Sequence, residues 1–270
     1  MADRAGPDVV RQLLAMLDDE PRWIDVRGML LGGHAQVTGG GEQVARARDG
    51  SGWVVKVLHG AVSVIGVVGR PSREVLAEVV RDVTELTPIV VQTVDASWVA
   101  GCLASHDTSS PVWRAERVIA HRLGPAARGA ALEGREGRGD VRLLTAADSL
   151  AHLPPGLRHE LTHARSFAPV AALFEAAMPV SFCYPVWRTE SLWDVSIDTL
   201  DGYRGRGFAM HAVRYLIEHM RREGREPVWC ALESNTASLR LAAKLGFERV
   251  DAFVVFSRGA WVILAGGFEG

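Results

Sequence analysis

The feature that most narrows the possible folds is a turn, Tyr203-Arg204-Gly205-Arg206-Gly207-Phe208-Ala209, set between two stretches of different periodicity. Residues 192–200 are rich in β-branched and aromatic side chains, as a strand requires, and residues 207–223 carry apolar side chains at helical spacing. A strand that passes into a helix through glycines leaves the first helical N–H groups pointing outward, backed by the positive end of the helix dipole. Glycine lets the backbone approach an anion closely there, so the turn suits a pyrophosphate. Gly-Arg turns also close ordinary loops, so the order of the elements beyond the turn matters more. A strand at 228–232 leads into Glu233-Ser234-Asn235-Thr236-Ala237-Ser238, small polar residues suited to a helix start. Ala243-Lys244-Leu245-Gly246-Phe247 then ends that helix on a glycine able to take the left-handed cap.

A chain of 270 residues has room for two domains, and 48% hydrophobic with 23% charged residues is globular composition. The formal net charge of -2 provides no basic field, so nucleic acid is not an expected partner and any anion site must be local. Lys56 and Lys244 are the only lysines; the abundance of arginine reads as compositional habit. Cys102, Cys183 and Cys230 form no C-x-x-C pair, which argues against a disulfide scaffold and for a reducing compartment. With no signal-peptide core and no apolar run near the roughly 20 residues of a membrane helix, the expected location is cytoplasmic, without a membrane partner.

Along the N-terminal half, residues 8–18 have helical spacing and a Gly-rich stretch at 32–41 interrupts regular structure. Strands are expected at 52–58 and 61–68 around His59-Gly60, then a helix at 72–85, a strand at 88–94 and another at 113–123. Residues 124–139 (GPAARGAALEGREGRG) read as a linker. Beyond it the sequence predicts a strand at 141–145, one or two short helices to about 165, and strands at 170–176, 180–187 and 192–200. The strand at 228–232, the helix at 236–245 and a strand pair at 250–257 and 261–265 complete the chain. The domains expected are therefore 1–123, accessory; 124–139, linker; and 140–270, carrying the site.

From residue 140 to the C-terminus the sequence resembles the GNAT superfamily of N-acetyltransferases, on the turn at 203–209, the Asn235 cluster, the Gly246-Phe247 ending, and Val141-Arg142-Leu143-Leu144-Thr145-Ala146-Ala147-Asp148 as opening strand and helix cap. The resemblance implies an α/β (α+β) fold: a mixed, splayed β-sheet flanked by helices, preceded here by a smaller mixed α/β domain that is itself a degenerate relative of the fold. It implies acetyl-CoA as acyl donor, its pantetheine arm lying in the splay like an added strand. Carried over, Ile197, Asp198 and Thr199 bind the arm through backbone groups, Arg204, Gly205, Arg206, Gly207, Phe208 and Ala209 supply pyrophosphate amides, and Asn235 with Ser238 contact the arm from the other side. The acceptor implied is the amine of a small molecule. Cys183-Tyr184, the run 193–200 and Pro227-Val228-Trp229 are also similar to a GNAT subgroup that includes a self-resistance acetyltransferase for the antibiotic zwittermicin A.

The match departs at one point. Many GNAT enzymes carry a tyrosine seven residues after the helix-start Asn, where its hydroxyl protonates the leaving thiolate; here that position is Ala242. An attacking amine must also lose a proton, since an alkyl ammonium has a pKa of about 10 and no lone pair. Asp194 is the first candidate base, five residues before Thr199, with Glu190 and Glu233 in reserve.

His159-Glu160-Leu161-Thr162-His163 is a literal H-E-x-x-H, which on a helix places two imidazoles on one face for zinc and offers the glutamate as base. Pro154-Pro155-Gly156 before it and Pro169 after it leave a short helix and no obvious third ligand, so no metal is expected and the segment reads as lining the acceptor side of the cleft. The leading expectation is an acetyl-CoA-dependent N-acetyltransferase working by direct attack in a ternary complex. A non-catalytic CoA-binding module and a zinc hydrolase stay open as alternatives, as does the oligomeric state, a homodimer included.

Overall fold

The computed structural model describes residues 7–32, 36–38, 52–59, 62–81, 83–106, 112–129 and 140–258. They fall into two compact units, one within Met1–Ala120 and Asp251–Trp261, the other within His121–Val250. Within the Gly-rich stretch at 32–41, residues 36–38 form a short strand where no regular element is expected; the rest of that stretch beyond Gly32, Gly60, most of the linker and the expected strand at 261–265 lie outside the described residues.

The first unit contains α1 (Pro7–Met16), a single-turn 3-10 helix (Pro21–Trp23), α2 (Ile24–Leu31), β1 (Gln36–Thr38), β2 (Gly52–His59), β3 (Val62–Gly69), α3 (Arg73–Val80), β4 (Ile89–Gln92) and α4 (Ala96–His106). β1, β2 and β3 pair antiparallel, β3 and β4 pair parallel, and β4 pairs antiparallel with the end of β11 (Phe247–Ser257). The β3–α3–β4 crossover begins at Ser72, whose hydroxyl accepts from the N–H of Val75 and caps α3. Apolar side chains of β3, α3 and α4, among them Ile65, Val67, Leu76 and Val99, form its core. Neither α2 nor α4 is among the helices expected from sequence. In α2, six of eight residues are buried, so no polar stripe marks a helical period.

The second unit holds the end of β5 (Arg114–Leu123), α5 (Pro125–Gly129), β6 (Asp140–Leu143), α6 (Pro155–Phe167), β7 (Ala171–Glu175), β8 (Met178–Arg188), β9 (Leu192–Thr199), α7 (Phe208–Arg222), β10 (Glu226–Leu232), α8 (Thr236–Lys244) and the start of β11. Its strands lie in the order β10-β9-β8-β7-β6, all antiparallel except β9–β10, so the sheet is mixed and flanked by helices. α7 lays Ala212, Val213, Leu216, Ile217 and Met220 against Trp193 and Val195 of β9. Part of the segment read as linker is ordered as α5, which abuts Gly246: a Cβ there would stand 2.6 Å from that of Ala127, and the φ of 83° excludes most side chains independently. Among the described residues no helix is long and apolar enough to cross a membrane.

The strand expected at 141–145 forms as β6, but no helix starts at the cap expected near 148; the segment instead closes as a turn on a local network. Asp148 accepts from Arg142 at 2.6 and 2.9 Å, from the Thr145 N–H at 2.7 Å and from the Thr145 hydroxyl at 2.8 Å. Arg142 stacks 3.8 Å from the Phe174 ring centre. The Arg142 hydrogen bond, more than any other contact, holds the Asp148 carboxyl far below the usual carboxylate range. Folding thus gains from the ionised form above the ordinary carboxylate pKa, and the gain disappears as pH falls through the depressed folded value. Asp148→Ala should cost about 1–3 kcal/mol at neutral pH, measured by denaturant unfolding, with the difference from the parent shrinking in acid.

Candidate functional site

β9 and β10 run parallel but pair only over Leu192–Asp194 and Glu226–Val228, although β9 continues to Thr199 and β10 to Leu232. Past that point the strands diverge, and alternate residues of 195–199 turn their N–H and C=O groups toward an edge that β10 does not occupy. Crevices at the carboxyl ends of parallel strands are where such folds take ligands.

Two helix N-termini face the same end. β9 leads through a single-turn 3-10 helix (Asp201–Tyr203) into α7, whose N-cap is Gly207. Gly205 and Gly207 have φ of 75° and 82°, which put the turn in the left-handed region that glycine occupies without strain. A Cβ built on either meets nothing within 4 Å, so open space lies over the turn and the N-terminus of the 15-residue α7. That space beside unsatisfied N–H groups fits a pyrophosphate. The arginine side chains are engaged elsewhere: Arg204 donates from Nε to the Thr199 carbonyl at 3.1 Å and pairs with Asp201, and Arg206 pairs with Glu175 and lies 4.5 Å over Phe208. Backbone groups are therefore the available anion donors of the turn, with Phe208 and Ala209 opening the helix behind it.

Across the divergence, Asn235 caps α8, its Oδ1 accepting from the Ser238 N–H at 3.0 Å. Ser238 Oγ accepts from Trp229 Nε1 at 2.9 Å, which fixes the start of α8 to β10. Ala242, where the resemblance implies a tyrosine, is wholly buried in the apolar core of the second unit.

The three expected carboxylates are not brought together. Asp194 is buried on β9, where the strand is still paired with β10 and opposite a register shift in β8 between Pro185 and Arg188; such irregularities re-aim side chains beside sites. Glu190 is exposed before the first residue of β9, roughly 30 Å along the strand from Thr199. Glu233 is exposed just after β10, at the open end.

A cluster that the motifs did not assign lies on the other face of β9. Trp193 and Val195 face α7, so Asp194, Ser196 and Asp198 turn to the opposite side, toward α6. There Tyr184 of β8, buried, donates its hydroxyl to Asp198 Oδ2 at 2.7 Å, and Glu160 of α6 lies near enough to that hydroxyl for it to lower the Glu160 pKa. Burial, then the Asp198 charge, push the Glu160 carboxyl up to about 8 against the Tyr184 hydrogen bond. Burial pushes Asp198 up to about 6 against Tyr184 and Arg204. The phenol is raised well above its usual value by burial and then by the two carboxylates.

Glu160 is the glutamate of the H-E-x-x-H, and α6 does place His159 and His163 one turn apart. Glu160 belongs to the tyrosine cluster, and His163 packs 5.2 Å from Phe167 with its pKa lowered by burial and by His159. Among the described residues no group of three or more His, Cys, Asp or Glu is placed to hold a metal ion.

The GNAT acetyltransferase family model matches residues 171–256. An uncharacterised N-acetyltransferase of Bacillus subtilis, YdfB, is 32% identical over 80 residues, 30% of this chain and 31% of that protein. The chain thus spans about a third of the length of the curated relative it matches. A GCN5-related N-acetyltransferase-like protein of Streptococcus suis superposes with a TM-score of 0.63 at 16% identity, covering 93% of this chain and 98% of the other. A tandem GNAT protein from the clavulanic acid biosynthesis pathway gives 0.56 at 16% identity, covering 96% and 98%. At such identities the structural likeness is one of fold.

Proposed function

We propose, for a chain whose residues 171–256 form a GNAT acetyltransferase domain, that it transfers the acetyl group of acetyl-CoA to the amine of a small molecule by direct attack in a ternary complex. The observation that carries this reading is the short β9–β10 pairing, with α7 and α8 presenting their N-termini at its open end. Backbone groups of Ile197, Asp198 and Thr199 hold the pantetheine arm along β9, and Asn235 with Ser238 border it from α8. The amides of Arg204, Gly205, Arg206, Gly207, Phe208 and Ala209 bind the pyrophosphate. A backbone N–H of β9 facing the crevice stabilises the oxyanion as the thioester carbonyl is attacked. Asp194 stands nearest the base of the crevice among the three carboxylates expected from sequence; Glu190 is at the far end of its strand. The likeness of 183–184, 193–200 and 227–229 to the zwittermicin A resistance subgroup supports an antibiotic or related metabolite as acceptor.

Purified protein should release one free thiol from acetyl-CoA per amide formed, read with a thiol reagent and by mass spectrometry of the amine. A second reading, a CoA-binding module without catalysis, is favoured by the buried Ala242. Calorimetry that detects tight CoA binding while no amine elicits thiol release would select it.

A further inference from the structure

We propose that Glu160, Tyr184 and Asp198 form the group that takes the proton from the acceptor's ammonium, with Glu160 the accepting carboxylate, and that the acceptor is accordingly a cationic primary amine. The inference rests on the acetyl-transfer reading. Two carboxylates, Glu160 of α6 and Asp198 of β9, approach the phenol hydroxyl of Tyr184 on β8, on the face of β9 away from α7 and within one residue of the end of the strand. The two carboxylates give the group an acidic character, with Arg204 bearing on Asp198 from the turn beyond β9.

Proton and bond changes balance without a further reagent. The bound ammonium gives one proton to the Glu160 carboxylate; the freed nitrogen lone pair forms the C–N bond to the thioester carbonyl, and the C–S bond breaks as the tetrahedral adduct collapses. The second nitrogen proton leaves with the thiolate as thiol, and Glu160 returns its proton to solvent. A half-buried carboxyl pushed up to about 8 is a suitable base at mildly alkaline pH, because both its ionised fraction and its affinity for the proton are appreciable there. Tyr184 acts as a positioning residue: its hydroxyl donates to Asp198 at 2.7 Å and lowers the Glu160 pKa, which ties it to both carboxylates. Other titratable groups on the elements packed around the base are His159 and His163 on α6, Asp194 on the same face of β9, and Arg204 beyond the strand.

The directions of the pKa shifts set the test. Asp198 raises the Glu160 pKa by like charge and Tyr184 lowers it by hydrogen bonding. The acid limb of the kcat/KM profile, where activity falls as the base is protonated, should therefore move to lower pH in Asp198→Asn and to higher pH in Tyr184→Phe. Glu160→Gln should lower kcat/KM by at least about a hundredfold. The full-length chain would be assayed with acetyl-CoA and spermidine, tyramine, glucosamine and lysine methyl ester, with CoA affinity and thermal unfolding measured for every variant. Retained CoA binding with opposite limb shifts supports the assignment. An active parent whose limb is unmoved in all three variants, or moves only in Asp194→Asn, overturns this inference alone. A parent that binds CoA but acetylates none of these amines overturns the assignment of a cationic primary amine, and an activity toward neutral or anilinic amines instead would preserve the acetyl-transfer reading.

Discussion

Gly207→Glu lowers CoA affinity by at least about a hundredfold, equivalent to about 2.7 kcal/mol, while thermal unfolding shifts by only a few degrees. The asymmetry follows from where the residue sits. At φ 82° a side chain strains the backbone by about 1–2 kcal/mol, but a carboxylate beside a helix N-terminus recovers up to about 1 kcal/mol of that. A Cβ built there meets nothing within 4 Å, so no neighbour is displaced and the fold persists. The carboxylate occupies the N–H groups that a pyrophosphate needs and repels the phosphates besides. Gly207→Asn separates charge from geometry, because asparagine tolerates the left-handed region and is neutral. It should weaken CoA binding only several-fold by calorimetry. Equal losses in the two variants would assign the effect to backbone strain, and unchanged affinity in Gly207→Glu would remove the pyrophosphate from this turn.

The same turn shows why part of the site is legible in the sequence. Glycines between a strand and an amphipathic helix constrain the backbone locally, so Gly205 and Gly207 signal left-handed geometry from their own positions. Asn235 is similarly legible, since a cap is a contact with a residue three positions away. Elements whose signal is not local escape such reading. α2 is buried nearly all round and displays no helical stripe; β7 and β8 are legible as strands, but their turn through Ala176 and Ala177, at φ 49° and 66°, lacks the glycine or asparagine that marks such turns. The titratable cluster is the extreme case. Glu160 and Asp198 are 38 positions apart, Tyr184 lies between them, and nothing in their spacing shows that α6 covers this face of β9. Glu160 carries a signal only as the glutamate of a metal motif, where the histidines draw the inference away from the carboxylate.

Trp229→Ala should destabilise the protein by about 3–5 kcal/mol, the largest stability loss expected from any single truncation near the site. Its side chain is 1% exposed and stands at the centre of the second unit's core, edge-on to Phe247 at 5.2 Å. Removing it leaves a void between β10 and α8 that Ala242, already buried, is too small to fill. Trp229→Phe keeps most of the volume and the aromatic contact but deletes the Nε1 donor to Ser238, so it should cost only about 1–2 kcal/mol. The two variants then separate packing from positioning. In Trp229→Phe, urea unfolding should show a near-native transition, while CoA affinity falls several-fold because Ser238 and the N-terminus of α8 lose their tie to β10. If Trp229→Phe binds CoA as the parent does, the Ser238 hydroxyl takes no part in holding the pantetheine arm, and the α8 side of the crevice acts through Asn235 and backbone alone.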